Sequence, residues 1–277
     1  MHLTREHIDA YCLSLLADER SAGTISKYRR DLTAFARWLD GRAVTKESAT
    51  AWKACLLNRD YAPRTVNSML AAVNGFCRFA GLPIKLKFLS IQRQIFRDSA
   101  KELTKEEYDR LLAAARESGQ ERLALIMETL CATGIRVSEL RYITMEAALA
   151  GRATITLKGK IRTILLPAKL CRKLVKYAKK QKTASGEIFL TKSGRPITRR
   201  QVWYELKRLC RAAGVEPTKV FPHNLRHLFA TTFYRASRDI VRLADMLGHS
   251  SIDTTRIYLT VSGTEQQRQL DRLGLVS

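Results

Sequence analysis

Apolar residues in this 277-residue chain recur at three- and four-residue steps, except in one short block where the period drops to two. That change of period is the tightest limit on the fold, because three- and four-residue steps mark one face of a helix and alternation marks a strand. In TISKYRRDLTAFARWLD, Ile25, Tyr28, Leu32, Phe35 and Leu39 make one helical stripe. In PRTVNSMLAAVNGFCRFAG, Pro63 suits a helix start, and Val66, Met69, Leu70, Val73 and Phe76 share a face. Gly81 and Pro83 then end that helix. Further on, Thr104 and Glu107 form a capping box, LALIMETLCATG ends at Gly134, and Trp203, Leu206 and Leu209 mark a later helix. Only ATITL and TILLP read as extended, joined by a turn at Lys158-Gly159-Lys160, with Glu187 to Thr191 as a third strand. The expected fold is mainly α with a small antiparallel β-sheet. Residues 1–85 form a helical domain, 86–101 a weakly periodic linker, and 102–277 a second domain.

Composition narrows the partner. Hydrophobic residues are 45% of the chain, enough for packed cores. No apolar run approaches the ~20 residues that span a bilayer, and the charged N-terminus is unlike a signal peptide, so no membrane partner and a cytoplasmic location are expected. The cysteines at 12, 55, 77, 131, 171 and 210 are scattered without metal-ligand spacing and read as reduced thiols. Lys and Arg outnumber Asp and Glu by 49 to 26, a formal charge of +23. The excess is present both before and after residue 100, so two surfaces facing a polyanion are expected.

Four clusters carry chemistry in combination. TGIRVSEL holds Arg136 and Glu139 three residues apart, and Lys158 sits at the hairpin turn. HNLRH brings His223 and Arg226 to one side of a helix start. In LGHSSIDTTRIY, Gly248 permits a sharp turn at His249, and Ser250 or Ser251 can cap the helix that carries Tyr258. Taken singly, each is more often an ion pair, a solvated turn, a cap or a core tyrosine. Together they are an inventory for phosphoryl transfer without a metal. Arginine forks match two nonbridging phosphate oxygens, and fixed positive charge stabilises a pentacoordinate transition state. A tyrosine of pKa ~10 needs such a field and a base before it can attack. No glycine-rich phosphate loop or carboxylate cluster points to an NTPase or a two-metal nuclease, and neither metal nor cofactor is expected.

In order and wording, TGIRVSEL, LKGK, HNLRH and LGHSSIDTTRIY resemble the tyrosine recombinases, the phage integrase and Xer-type group, and SAGTISKYRRDLTAFARWL resembles their helical core-binding domain. The resemblance implies a core-binding domain followed by a catalytic domain, forming a C-shaped clamp around DNA. It implies that Tyr258 attacks a phosphodiester to give a 3′-phosphotyrosyl link and a free 5′-hydroxyl. Arg136 and Arg226 would clamp the phosphate, His223 would assist proton transfer, His249 would donate a hydrogen bond, and Glu139 would orient a neighbour. Lys158 would be the general acid, with Lys160 as the alternative within the turn. Lys27, Arg29, Arg30, Arg64, Lys160, Arg162, Arg199 and Arg200 are expected DNA contacts. The implied partner is double-stranded DNA with a specific site. On it the protein would be a homotetramer passing through a Holliday junction, and without it monomeric or weakly associated. The task would be mobile-element integration and excision or chromosome-dimer resolution. The apolar residues of the C-terminal tail, Leu270, Leu273, Leu275 and Val276, would dock on an adjacent protomer or on their own domain.

Overall fold

The computed structural model describes residues 1–91, 99–157, 160–191, 193–258, 267–268 and 271–273. By its contacts the chain divides into two units, Met1–Arg93 and Gln94–Ser277.

The first unit is four helices: α1 (Arg5–Ala17), α2 (Ala22–Leu39), α3 (Lys46–Asn58) and α4 (Pro63–Phe79). Thr4, Ser21 and Thr45 each accept a hydrogen bond from a first-turn backbone N–H, and Pro63 opens α4. The core draws Leu32, Phe35 and Leu39 from α2, Trp52 from α3, and Val66, Leu70, Val73 and Phe76 from α4. Residues 86–89, expected in the linker, are tied back onto α4. Asn74 exchanges two hydrogen bonds with the Leu86 backbone, and Asn67 does the same with Leu89. Seven residues is two helical turns, so the two asparagines share a face and hold the departing chain extended along the helix.

The second unit is larger. α5 (Lys105–Glu117) begins at the Thr104–Glu107 capping box, and α6 (Glu121–Thr133) ends at Gly134 in the left-handed conformation. A 3-10 helix (Val137–Tyr142), α7 (Met145–Ala150) and the hairpin β1 (Arg152–Leu157) and β2 (Lys160–Leu165) follow. The strands are antiparallel, with Thr154 opposite Thr163 and Leu157 opposite Lys160. Ala153, Ile155 and Ile164 face the core, while Ile161 and Leu165 are exposed. Lys160 thus opens β2 rather than forming the turn.

The expected third strand does not join this sheet. Glu187 makes an isolated bridge to Thr144, and Leu190 one to Pro196. Ile188 and Phe189 are nonetheless buried, so the apolar signal was real but came from core contact rather than ladder pairing.

The helices α8 (Ala168–Lys180), α9 (Arg199–Ala213), α10 (Pro222–Ser237), α11 (Ile240–Leu247) and α12 (Ile252–Thr255) complete the unit, with a 3-10 turn at Arg256–Tyr258. On α9 the buried stripe is Val202, Leu206, Leu209 and Ala213. Trp203, expected on that stripe, is 47% exposed and carries the Lys207 ammonium over its ring. One core spans α5 to α10. A separate cluster joins Phe229 and Ala230 to Leu243, Leu247 and Tyr258. No described helix is long and apolar enough to cross a membrane.

Candidate active site

Backbone geometry assembles the site from four directions. Gly134 has φ +64°, and a Cβ there would lie 2.3 Å from the Phe229 ring. A glycine therefore lets α6 stop short against α10 and release Arg136 into the next turn. Glu139 is 1% exposed and reaches back to that turn. Its Oε2 accepts from the Arg136 backbone N–H at 2.7 Å, and its Oε1 meets Arg136 Nη1 at 3.1 Å. The Arg136 side chain stays 43% exposed.

Proline at the start of α10 puts His223 and Arg226 on its first turns. Arg226 is 2% exposed. Its guanidinium donates to the carbonyls of Gly134 and Leu247, meets His249 Nε2 at 3.0 Å, and hydrogen-bonds the Tyr258 hydroxyl. Burial, with the charge of Arg136, lowers its pKa to about 10, so it remains a cation at neutral pH.

His249 stands on the turn that ends α11, where Gly248 has φ +64°. Its Nδ1 lies 2.8 Å from the hydroxyl of the fully buried Thr255, on α12. A guanidinium can only donate, so His249 Nε2 accepts from Arg226 and the ring proton sits on Nδ1, facing Thr255. Burial and the charges of Arg226, Arg136 and Arg162 push the His249 pKa down to about 4, in keeping with a neutral ring. His223 is also shifted downward, by desolvation and then by Arg226 and His227.

Ser251, rather than Ser250, caps α12, and Tyr258 lies on the 3-10 turn that follows. The Tyr258 ring is 2% exposed, stacks at 6.4 Å on His249, and touches His227 at 4.9 Å. Burial raises its pKa, opposed by Arg226 and Arg136. A cleft of about 350 Å³ opens beside these groups, lined in part by Arg136, Glu139, Arg162, Gly248 and His249.

Arg136 and Glu139 are therefore in direct contact, as are Arg226, His249 and Tyr258; Arg136, Glu139 and His249 line one cleft, and His223 is on the same helical turn as Arg226. Lys158 lies outside the described residues, and so do Leu270, Leu275 and Val276 of the tail, whereas Leu273 is exposed. The expected DNA contacts divide. Arg64, Arg199 and Arg200 are exposed. Lys27 and Arg30 pair with the buried Asp31, and Arg29 pairs with Asp9. Arg162 turns inward to Glu139. Sequence reasoning passed over Asp31, Thr255 and His227. The i, i+4 spacing of Lys27 and Asp31 was a usable signal for the first. Among the described residues no group of three His, Cys, Asp or Glu could hold a metal ion, and the six cysteines are unpaired thiols.

Residues 101–265 match the phage integrase family, and residues 8–81 match the phage integrase N-terminal SAM-like domain. Tyrosine recombinase XerD of Xanthomonas campestris pv. campestris is 33% identical, over 86% of this chain and 82% of its own length. Tyrosine recombinase XerA of Pyrococcus furiosus is 29% identical, over 99% and 96%. A crystal structure of a lambda integrase (75–356) dimer bound to a COC′ core site has the same fold, with a TM-score of 0.73 at 18% identity over 92% of this chain and 94% of that one. The chain belongs to the phage integrase family, the tyrosine recombinases.

Proposed function

We propose that this protein is a site-specific DNA recombinase in which Tyr258 is the nucleophile. The observation that carries the reading is the convergence of one buried guanidinium, Arg226, on His249 and Tyr258. Arg226 and Arg136 bind the nonbridging oxygens of the scissile phosphate and stabilise its pentacoordinate transition state. Tyr258 Oη attacks phosphorus, and the bond to the 5′-oxygen breaks. Lys158 supplies that oxygen's proton and His223 receives the phenol proton. One phosphodiester is exchanged for one phosphotyrosyl ester, so no nucleotide hydrolysis is needed, and attack by another 5′-hydroxyl reverses the step.

His249 can donate to the phosphate only with its proton on Nε2. Thr255 suits that exchange, because a hydroxyl can accept from Nδ1–H or donate to bare Nδ1. The site's surroundings also favour an anion. α9 opens with Arg199 and Arg200 and has no acid in its first turn, an arrangement the helix dipole penalises unless a negative partner arrives. By analogy with a lambda integrase tetramer bound to a Holliday junction, two protomers on each of two sites would exchange strands in pairs. A cytoplasmic, nucleoid-associated location goes with that activity.

The test is a covalent trap. Wild-type and Tyr258→Phe protein are mixed with DNA fragments flanking the gene, denatured in detergent, and any attached DNA is sequenced. The expected result is an adduct at one defined position with wild type and none with the variant, at undiminished DNA affinity. An adduct that persists in Tyr258→Phe removes Tyr258 from the role, and adducts scattered without sequence preference replace recombination with a topoisomerase-like activity.

A further inference from the structure

Arg162, expected among the DNA contacts, is turned to protein partners instead of solvent. Its side chain is 14% exposed and lies between two elements of the site. Nη2 donates to Glu139 Oε2 at 2.7 Å, and Nη1 donates to the Met246 carbonyl, in the last turn of α11, at 2.6 Å. The same group packs against Gly248 so closely that a Cβ there would lie 2.7 Å from Nη1. β2, the Arg136 turn and the His249 turn thus meet at one side chain.

Glu139 is shared unequally. It is a buried carboxylate, which needs a counter-charge more than any exposed acid does. Arg162 gives it a short, shielded contact, whereas Arg136 offers one nitrogen at 3.1 Å from a half-exposed side chain. Without Arg162, the planar fork of Arg136 is the nearest cation able to close on both carboxylate oxygens. That would withdraw Arg136 from the cleft.

We propose that Arg162 is a positioning residue: it neutralises Glu139, so that Arg136 stays turned to the phosphate, and it fixes the turn that carries His249. The inference rests on the recombinase reading given above, in which Arg136 and His249 act on the phosphate.

The test uses the full-length protein and a nicked duplex carrying the sequence at which the wild type forms its adduct. Arg162→Met keeps the aliphatic stem and removes the donors. It is expected to bind this duplex with the wild-type dissociation constant and salt dependence. Its single-turnover rate of adduct formation should fall on the order of 10²-fold, the usual scale for a misplaced catalytic group. Glu139→Gln in the same chain should restore that rate several-fold, because the carboxylate that captures Arg136 is gone. Normal cleavage at saturating DNA, with weaker binding and a salt slope lower by about one, would make Arg162 a phosphate contact and overturn the proposal. A slow Arg162→Met that Glu139→Gln leaves unchanged or worsens would also overturn it. Should Arg162→Met fail to fold in a thermal melt, Arg162→Gln, which keeps a polar donor but removes the charge that neutralises Glu139, is read by the same criteria. If the wild type itself forms no Tyr258-dependent adduct, the recombinase reading fails first, and this inference with it.

Discussion

At the scale of single residues, the site is set by which protons are held where. His249 is kept neutral by burial and by the arginines around it, with its pKa at about 4. A histidine whose folded pKa is depressed binds fewer protons folded than unfolded between that value and its ordinary one. Its stabilising contribution is complete above about pH 6.5 and is lost as the pH falls toward 4. His223 shifts the same way and adds to the effect in the same direction. His249→Asn should therefore flatten the pH dependence of the urea midpoint between pH 7 and 4 relative to wild type. Parallel profiles would show that His249 titrates normally. Thr255 belongs to the same argument: its buried hydroxyl bonds the His249 ring, and removing it would leave that buried ring nitrogen short of a partner among the described residues.

At the scale of elements, the site depends on where helices stop. α6 ends at Gly134 and α11 at Gly248, both with positive φ, and the carbonyls of Gly134 and Leu247 are the two backbone acceptors for Arg226. The two helix ends thus form the socket for one guanidinium, which satisfies carbonyls that a helix C-terminus otherwise leaves orphaned. Gly134→Ala should cost roughly 2–3 kcal/mol, combining the left-handed backbone with a collision against the Phe229 ring. Urea unfolding measures the loss, and adduct formation should fall with it. A change below about 0.5 kcal/mol, within the range of ordinary surface substitutions, would mean that α10 gives way easily and the close packing is not needed.

At the scale of the whole molecule, positive charge is distributed over two units that each have their own core. Met1–Arg93 is expected to fold by itself, since its four helices and the strap of residues 86–89 close a complete apolar cluster. DNA binding by the intact chain should weaken steeply with salt, by about 10³–10⁵ between 50 and 200 mM if six to ten phosphates are neutralised. Met1–Arg93 and Gln94–Ser277 separately should show shallower slopes and much lower affinity, because joining two modules makes the second contact intramolecular. Equal slopes for one fragment and the whole chain would place the phosphate contacts in a single unit.

The sequence by itself determined most of the elements and singled out the candidate reacting groups. Helical period, capping boxes, terminal prolines and glycines act over a few residues and are written in local order, so α2, α4, α5 and the hairpin are legible. Arg136, His223, Arg226, His249 and Tyr258 are legible too, because each sits in a short motif. What the sequence left open depends on partners far along the chain. Trp203 and Val202 are equally good candidates for a helix's buried face until α9 packs. Glu187 to Thr191 looks like a strand until its neighbours prove to be loops. Arg162 looks like a DNA contact, as every surface arginine in so basic a chain does, until a carboxylate 23 residues earlier and a carbonyl 84 residues later close on it. Charge is a property of composition, but whether a charge faces solvent, phosphate or a buried acid is decided by three-dimensional packing alone.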